Sequence, residues 1–127
     1  MNTANNPYNI YKQNSVNMAS GSQLLLMLVE GAVKYTKIAR MAILNRDIPR
    51  AHKELIRVQD IFLELMITMD KNTGYIEDLY NLYDFIKNEL AKANLRKDIN
   101  TIDEVLPLIE EIRDMWYEVD KKIKSGK

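Results

Sequence analysis

The chain has no cysteine, which excludes disulfide staples, thiolate nucleophiles and cysteine-type zinc sites. A single histidine, His52, is too few for a histidine-rich metal centre. The Glu-x-x-His pairs of a di-iron bundle cannot be written either, because the residue three before His52 is Pro49. Basic and acidic side chains number 18 each, so the formal net charge is zero and no overall basic bias draws the chain to nucleic acid or an anionic membrane surface. The longest uninterrupted apolar run, Leu24 to Val29, is six residues, far short of a membrane span. The first twenty residues are rich in Asn and Ser and lack the apolar block of a secretory signal, so the expectation is a soluble cytoplasmic protein with no membrane insertion. With four glycines scattered at 21, 31, 74 and 126, no glycine-rich phosphate or dinucleotide loop can be written.

What remains is packing. The chain has 127 residues, 46% hydrophobic and 28% charged, enough for one domain with a real core. Period-two alternation is absent, whereas apolar residues recur at steps of three and four throughout. Ser20 and Gln23 have the spacing of a capping box at the start of a first helix, from about 21 to 45, which carries Leu24, Leu25, Leu28, Ala32, Tyr35, Ala39 and Ala42. Gly31 in its middle suggests a close approach of another helix. Pro49 suits the first turn of a second helix, about 49 to 70, with Ala51, Leu55, Val58, Phe62, Leu65 and Met69 on one stripe.

A turn around Gly74 precedes a third helix, about 75 to 94, with Ile76, Leu79, Tyr83, Ile86, Leu90 and Ala93. A turn over 94–98 leads to a fourth helix carrying Ile102, Val105, Ile109, Ile112, Trp116, Val119 and Ile123. Pro107 inside it predicts a kink or a division. Long helices, short connections and seams of near-3.5 period predict an all-α, antiparallel up-down-up-down four-helix bundle. The expected organisation is a mobile N-terminal cap segment over 1–19, a bundle over 20–124 and a frayed tail over 125–127.

Arg46 and His52, with five residues between them, superficially match the Arg-to-His spacing of helical-bundle ribonucleases, which gives an alternative reading as an enzyme acting on RNA. A surface histidine near a helix start is the simpler reading. The acidic residues of the fourth helix, among them Glu110 and Asp114 at i,i+4, read as a solvated face or one awaiting a basic partner. No residues suggest a catalytic centre, a metal or a cofactor. The second and third helices carry apolar residues beyond their seams: Ile56, Leu63, Ile67, Tyr80, Leu82 and Phe85. A helix apolar around so much of its circumference offers a second face, either to a partner or to another copy in a self-associating homodimer.

The segment Asn6-Pro7-Tyr8-Asn9-Ile10-Tyr11-Lys12-Gln13-Asn14-Ser15-Val16, followed by Ala19-Ser20, Leu24 to Leu28 and Glu30-Gly31-Ala32, closely resembles the opening of the flagellar secretion chaperone family of FliS type. The resemblance continues through Gln59-Asp60-Ile61 with Glu64-Leu65, Leu82-Tyr83-Asp84, Leu90, Ala93-Asn94-Leu95 with Asp98, and Arg113-Asp114 with Trp116. Departures from the family pattern fall at Gly21, Tyr75, Asn88 beside Lys87, and Pro107.

The resemblance implies a non-enzymatic bundle that needs no cofactor. It also implies binding of the disordered C-terminal segment of flagellin in apolar grooves, prevention of premature polymerisation, and delivery of the client to the flagellar type III export gate. Tyr8, Ile10 and Tyr11 are then expected to belong to a cap over the client groove, with Ile56, Leu63, Ile67, Tyr80, Leu82 and Phe85 as further partner-binding candidates.

Overall fold

A computed structural model describes residues 21–71 and 76–126, with the side chains of 70 and 71 left out. Within them the chain forms four α-helices: α1 (Gly21–Leu44), α2 (Ile48–Lys71), α3 (Glu77–Arg96) and α4 (Ile99–Ser125). Each helix packs against its neighbour in sequence and α1 packs against α4, while the backbones of the diagonal pairs stay apart. Cross-helix pairs run antiparallel: Arg40 near the end of α1 meets Asp103 near the start of α4, and His52 near the start of α2 meets Asn94 near the end of α3. The expected up-down-up-down bundle is therefore the fold found.

The seams supply the core. All six expected residues of α2 are buried, with Leu55, Val58 and Phe62 fully so, and Phe62 meets the Tyr83 ring edge to face at 5.9 Å between centroids. Tyr83, Ile86, Leu90 and Ala93 of α3 and Ile102, Val105, Ile109 and Ile112 of α4 close the interior. The expected stripes overshoot at the helix ends: Ile76 and Ile123 are exposed. In α1 the buried line runs instead through Leu28, Val29, Ala32, Val33, Thr36, Ala39 and Ala42, and the hydroxyl of Thr36 is satisfied by donating to the Ala32 carbonyl at 2.7 Å. Gly31 does sit against α2, yet a methyl group in its place would meet Ile61 and Tyr35 at 3.4 Å, an ordinary contact, so the approach does not require glycine.

The connections show how the helices are stopped. Arg46, at φ 60°, turns the chain after α1 and lets the Asp47 N–H reach the Ala42 carbonyl at 2.8 Å. The Asp47 carboxylate then accepts from the Arg50 N–H at 3.2 Å, capping α2. Lys97, at φ 52°, ends α3, and the Asp98 side chain accepts from the Asn100 N–H at 3.0 Å to cap α4. The third helix thus runs two residues beyond the expected end, and Asn94, expected in the turn, is a buried helical residue.

The helix α4 is continuous across Pro107, which corrects the alternative of a division. Asp103, Glu104 and Pro107 all face solvent, so water can take the carbonyl that the proline leaves without an N–H partner. Helix persists to Ser125, where the Gly126 N–H bonds the Lys122 carbonyl at 2.9 Å. Ser20, half of the expected capping box, and Gly74 lie outside the described residues.

A candidate partner groove between two helices

At 100° per residue, His52, Ile56, Gln59, Leu63 and Ile67 fall within about 80° of one another on α2. His52 fixes where that flank points, because its Nδ1 lies 3.0 Å from the amide nitrogen of buried Asn94 on α3. The flank therefore borders α3. The same arithmetic from Asn94 places Ala91, Lys87, Asp84 and Tyr80 on the flank of α3 that borders α2.

The two walls differ in character. On α2, Ile56, Leu63 and Ile67 are 40%, 47% and 40% exposed, three branched side chains spaced along about 16 Å of helix. On α3, Lys87 pairs with Asp84 at 3.7 Å between half-buried Tyr80 and exposed Ala91. Met66 and the terminal nitrogen of Gln59 lie sealed from solvent beneath the rim, and partial burial raises the carboxyl of Asp60 above the usual carboxylate range. Such a strip can bury an amphipathic segment on its apolar wall while the charged pair faces the segment's polar edge.

Of the partner-binding residues expected from sequence, Ile56, Leu63, Ile67 and Tyr80 border this one groove. Leu82 lies about 160° round α3 from Tyr80 and turns to the α4 side, and Phe85, 50% exposed, points outward beyond it. Tyr8, Ile10 and Tyr11 lie outside the described residues. Gln59 and Asn94 were missed as groove residues. The signal for Gln59 was its seven-residue step from His52 in a flank otherwise apolar.

The opposite flank is closed by the chain itself. Arg40 grips Asp103 through Nε and Nη2, the guanidinium hydrogen bond holding the carboxyl below the usual carboxylate range. Lys37 pairs with Glu110 at 3.5 Å, so the basic partner that the acidic face of α4 called for is α1. Between α3 and α4 the Trp116 indole N–H donates to the Tyr83 hydroxyl at 2.8 Å, and burial pushes the Tyr83 phenol up to about 12 although that bond lowers it.

Nothing here assembles into a reactive centre. No hydrogen bond joins Arg46 to His52, and the histidine's Nδ1 is engaged by Asn94. Among the described residues no group of three or more acidic or histidine side chains could hold a metal ion, and no helix is long and apolar enough to cross a membrane.

Fold and surface define an all-helical bundle with an exposed apolar row along one flank. The profile of the family described as "Flagellar protein FliS" matches residues 4–123. The chain is 37% identical to the flagellar secretion chaperone FliS of Bacillus subtilis (strain 168), covering 95% of this chain and 93% of that protein. It is 33% identical to that of Campylobacter jejuni subsp. jejuni, covering 88% and 89%, and 30% identical to that of Salmonella typhimurium, covering 87% and 84%. The chain belongs to the FliS family of flagellar secretion chaperones, and its relatives carry a non-enzymatic name.

Proposed function

We propose that this protein binds the C-terminal segment of flagellin in the cytoplasm, keeps it from polymerising and hands it, loaded, to the flagellar type III export gate. The observation that carries the reading is the row of Ile56, Leu63 and Ile67, three exposed branched side chains in line along one flank of α2. A segment disordered in solution becomes ordered against such a row by burying its own apolar face. The groove spans about 16 Å, roughly three helical turns, and the exposed Phe85 and Leu82 side of α3 offers a longer client a further place to rest. The N-terminal tyrosines, Tyr8 and Tyr11, cover part of the groove when it is empty and move aside for the client, a role that rests on the family resemblance.

Titration calorimetry with a synthetic peptide of the flagellin C-terminal segment tests the reading. Expected are saturable one-to-one binding, a large negative heat-capacity change from buried apolar surface, and a gain of helix by circular dichroism. A peptide that neither binds nor gains helix overturns it. Tyr11→Ala with unchanged affinity and unchanged export overturns the cap. Sedimentation of the free protein across concentration decides whether the same apolar flank is instead a homodimer interface.

A further inference from the structure

Two buried side-chain polar atoms among the described residues lack a hydrogen bond, and they are not alike. One, Oε1 of Glu54, still has the Arg57 guanidinium at 3.5 Å, while Oε2 takes the Nε of Arg50 at 2.9 Å. The other, Nε2 of Gln59, is an uncharged donor with no counterpart. The neighbouring polar groups of the groove are already engaged: Asp84 by Lys87 and Asn88, and Asn94 by His52. A buried donor without a partner disfavours the free state, and native structures seldom keep one without a use.

Its position suggests the use. Gln59 lies one turn from Ile56 and one turn from Leu63, at the middle of the apolar wall, and the residue as a whole is only half-buried. Three rotatable side-chain torsions let the carboxamide swing from beneath the rim to the mouth of the groove. Apolar contacts alone slide, because Ile56, Leu63 and Ile67 accept any branched side chain in several registers. A polar group that must be paired fixes one of them.

We propose that Gln59 is the specificity-determining residue of the α2–α3 groove, donating its amide N–H to a carbonyl oxygen of the seated segment and so setting the segment's register between Ile56 and Leu63. This rests on the reading that the groove binds a flagellin segment. The role predicts effects of opposite sign on the free protein and on the complex, which a merely structural glutamine does not produce.

The experiment is Gln59→Met, similar in length but without the amide, studied by thermal unfolding and by calorimetric titration with the flagellin C-terminal peptide. Expected are a melting temperature at or above that of the parent and an affinity reduced about tenfold, near 1.4 kcal/mol. In the parent protein, the Gln59 side-chain amide proton resonances, assigned by their loss in the variant, shift downfield when the peptide is added. Unchanged affinity, or amide resonances that stay in place at saturation, overturns the proposal while leaving flagellin binding intact. Absence of peptide binding to the parent protein overturns both.

Discussion

The two long flanks of the bundle solve the same problem in opposite ways. Between α1 and α4, residues that face each other across the helix boundary carry opposite charge, and Arg40 with Asp103 and Lys37 with Glu110 join the two helices from outside. Between α2 and α3, the residues at equivalent positions are isoleucine and leucine on one side and a charge pair internal to α3 on the other. The first flank is tied across its helix boundary by ion pairs; the second has an apolar row facing water and, among the described residues, an amide nitrogen with no hydrogen-bond partner. Exposed surface ion pairs contribute little to stability, so the contrast is not one of strength. It concerns which surface still has something to gain from a partner, and a net charge of zero conceals it.

Both flanks rest on one shared core. Phe62→Ala removes a fully buried ring from beneath both and should cost about 3–5 kcal/mol in chemical denaturation. A smaller loss would mean that the helices hold together without this core. Next, Ile56→Asp with Leu63→Asp alters only the open flank. Each should cost about 1 kcal/mol of unfolding free energy, because part of each side chain is packed, while the pair reduces affinity for the flagellin peptide at least a hundredfold, about 2.7 kcal/mol. Equal losses in both measurements would make the rim structural.

Alkaline pH probes the α3–α4 contact. Because burial raises the Tyr83 phenol from its usual 10 to about 12, the folded state holds that proton more tightly than the unfolded chain. Its contribution is therefore complete below pH 10 and lost as pH rises towards 12, in total about 2–3 kcal/mol. The lone Trp116, bonded to that hydroxyl, reports the loss by fluorescence, and Tyr83→Phe should flatten this part of the profile. The smallest effect belongs to the closed flank: Arg40→Ala should leave the unfolding midpoint in denaturant almost where it was and peptide affinity unchanged. A large drop in affinity there would erase the distinction between the flanks.

Much of the fold was legible because each helix announces one buried stripe at steps of three and four, and Phe62, Tyr83, Ile109 and their neighbours follow it. The stripes could not show where they end, since Ile76 and Ile123 keep the rhythm yet lie exposed. Nor could they show that Asn94 continues α3, because the stop is set by the left-handed turn at Lys97 rather than by a glycine. The candidate groove was half legible. Surplus apolar residues on α2 and α3 could be counted from the sequence, but only the handedness and pairing of the helices decide that Tyr80 borders the same groove at the level of Ile67 while Leu82 turns away. Gln59 escaped notice because an unpaired amide is a property of its surroundings.

Methyl resonances of the labelled protein followed during titration with the flagellin C-terminal peptide show whether the α2 row receives the client. Saturable shifts are expected at Ile56, Leu63 and Ile67, with the methyl groups facing the α1–α4 seam, such as Val33, unmoved. Shifts confined to that closed seam, or none along the α2 row at saturation, would contradict it.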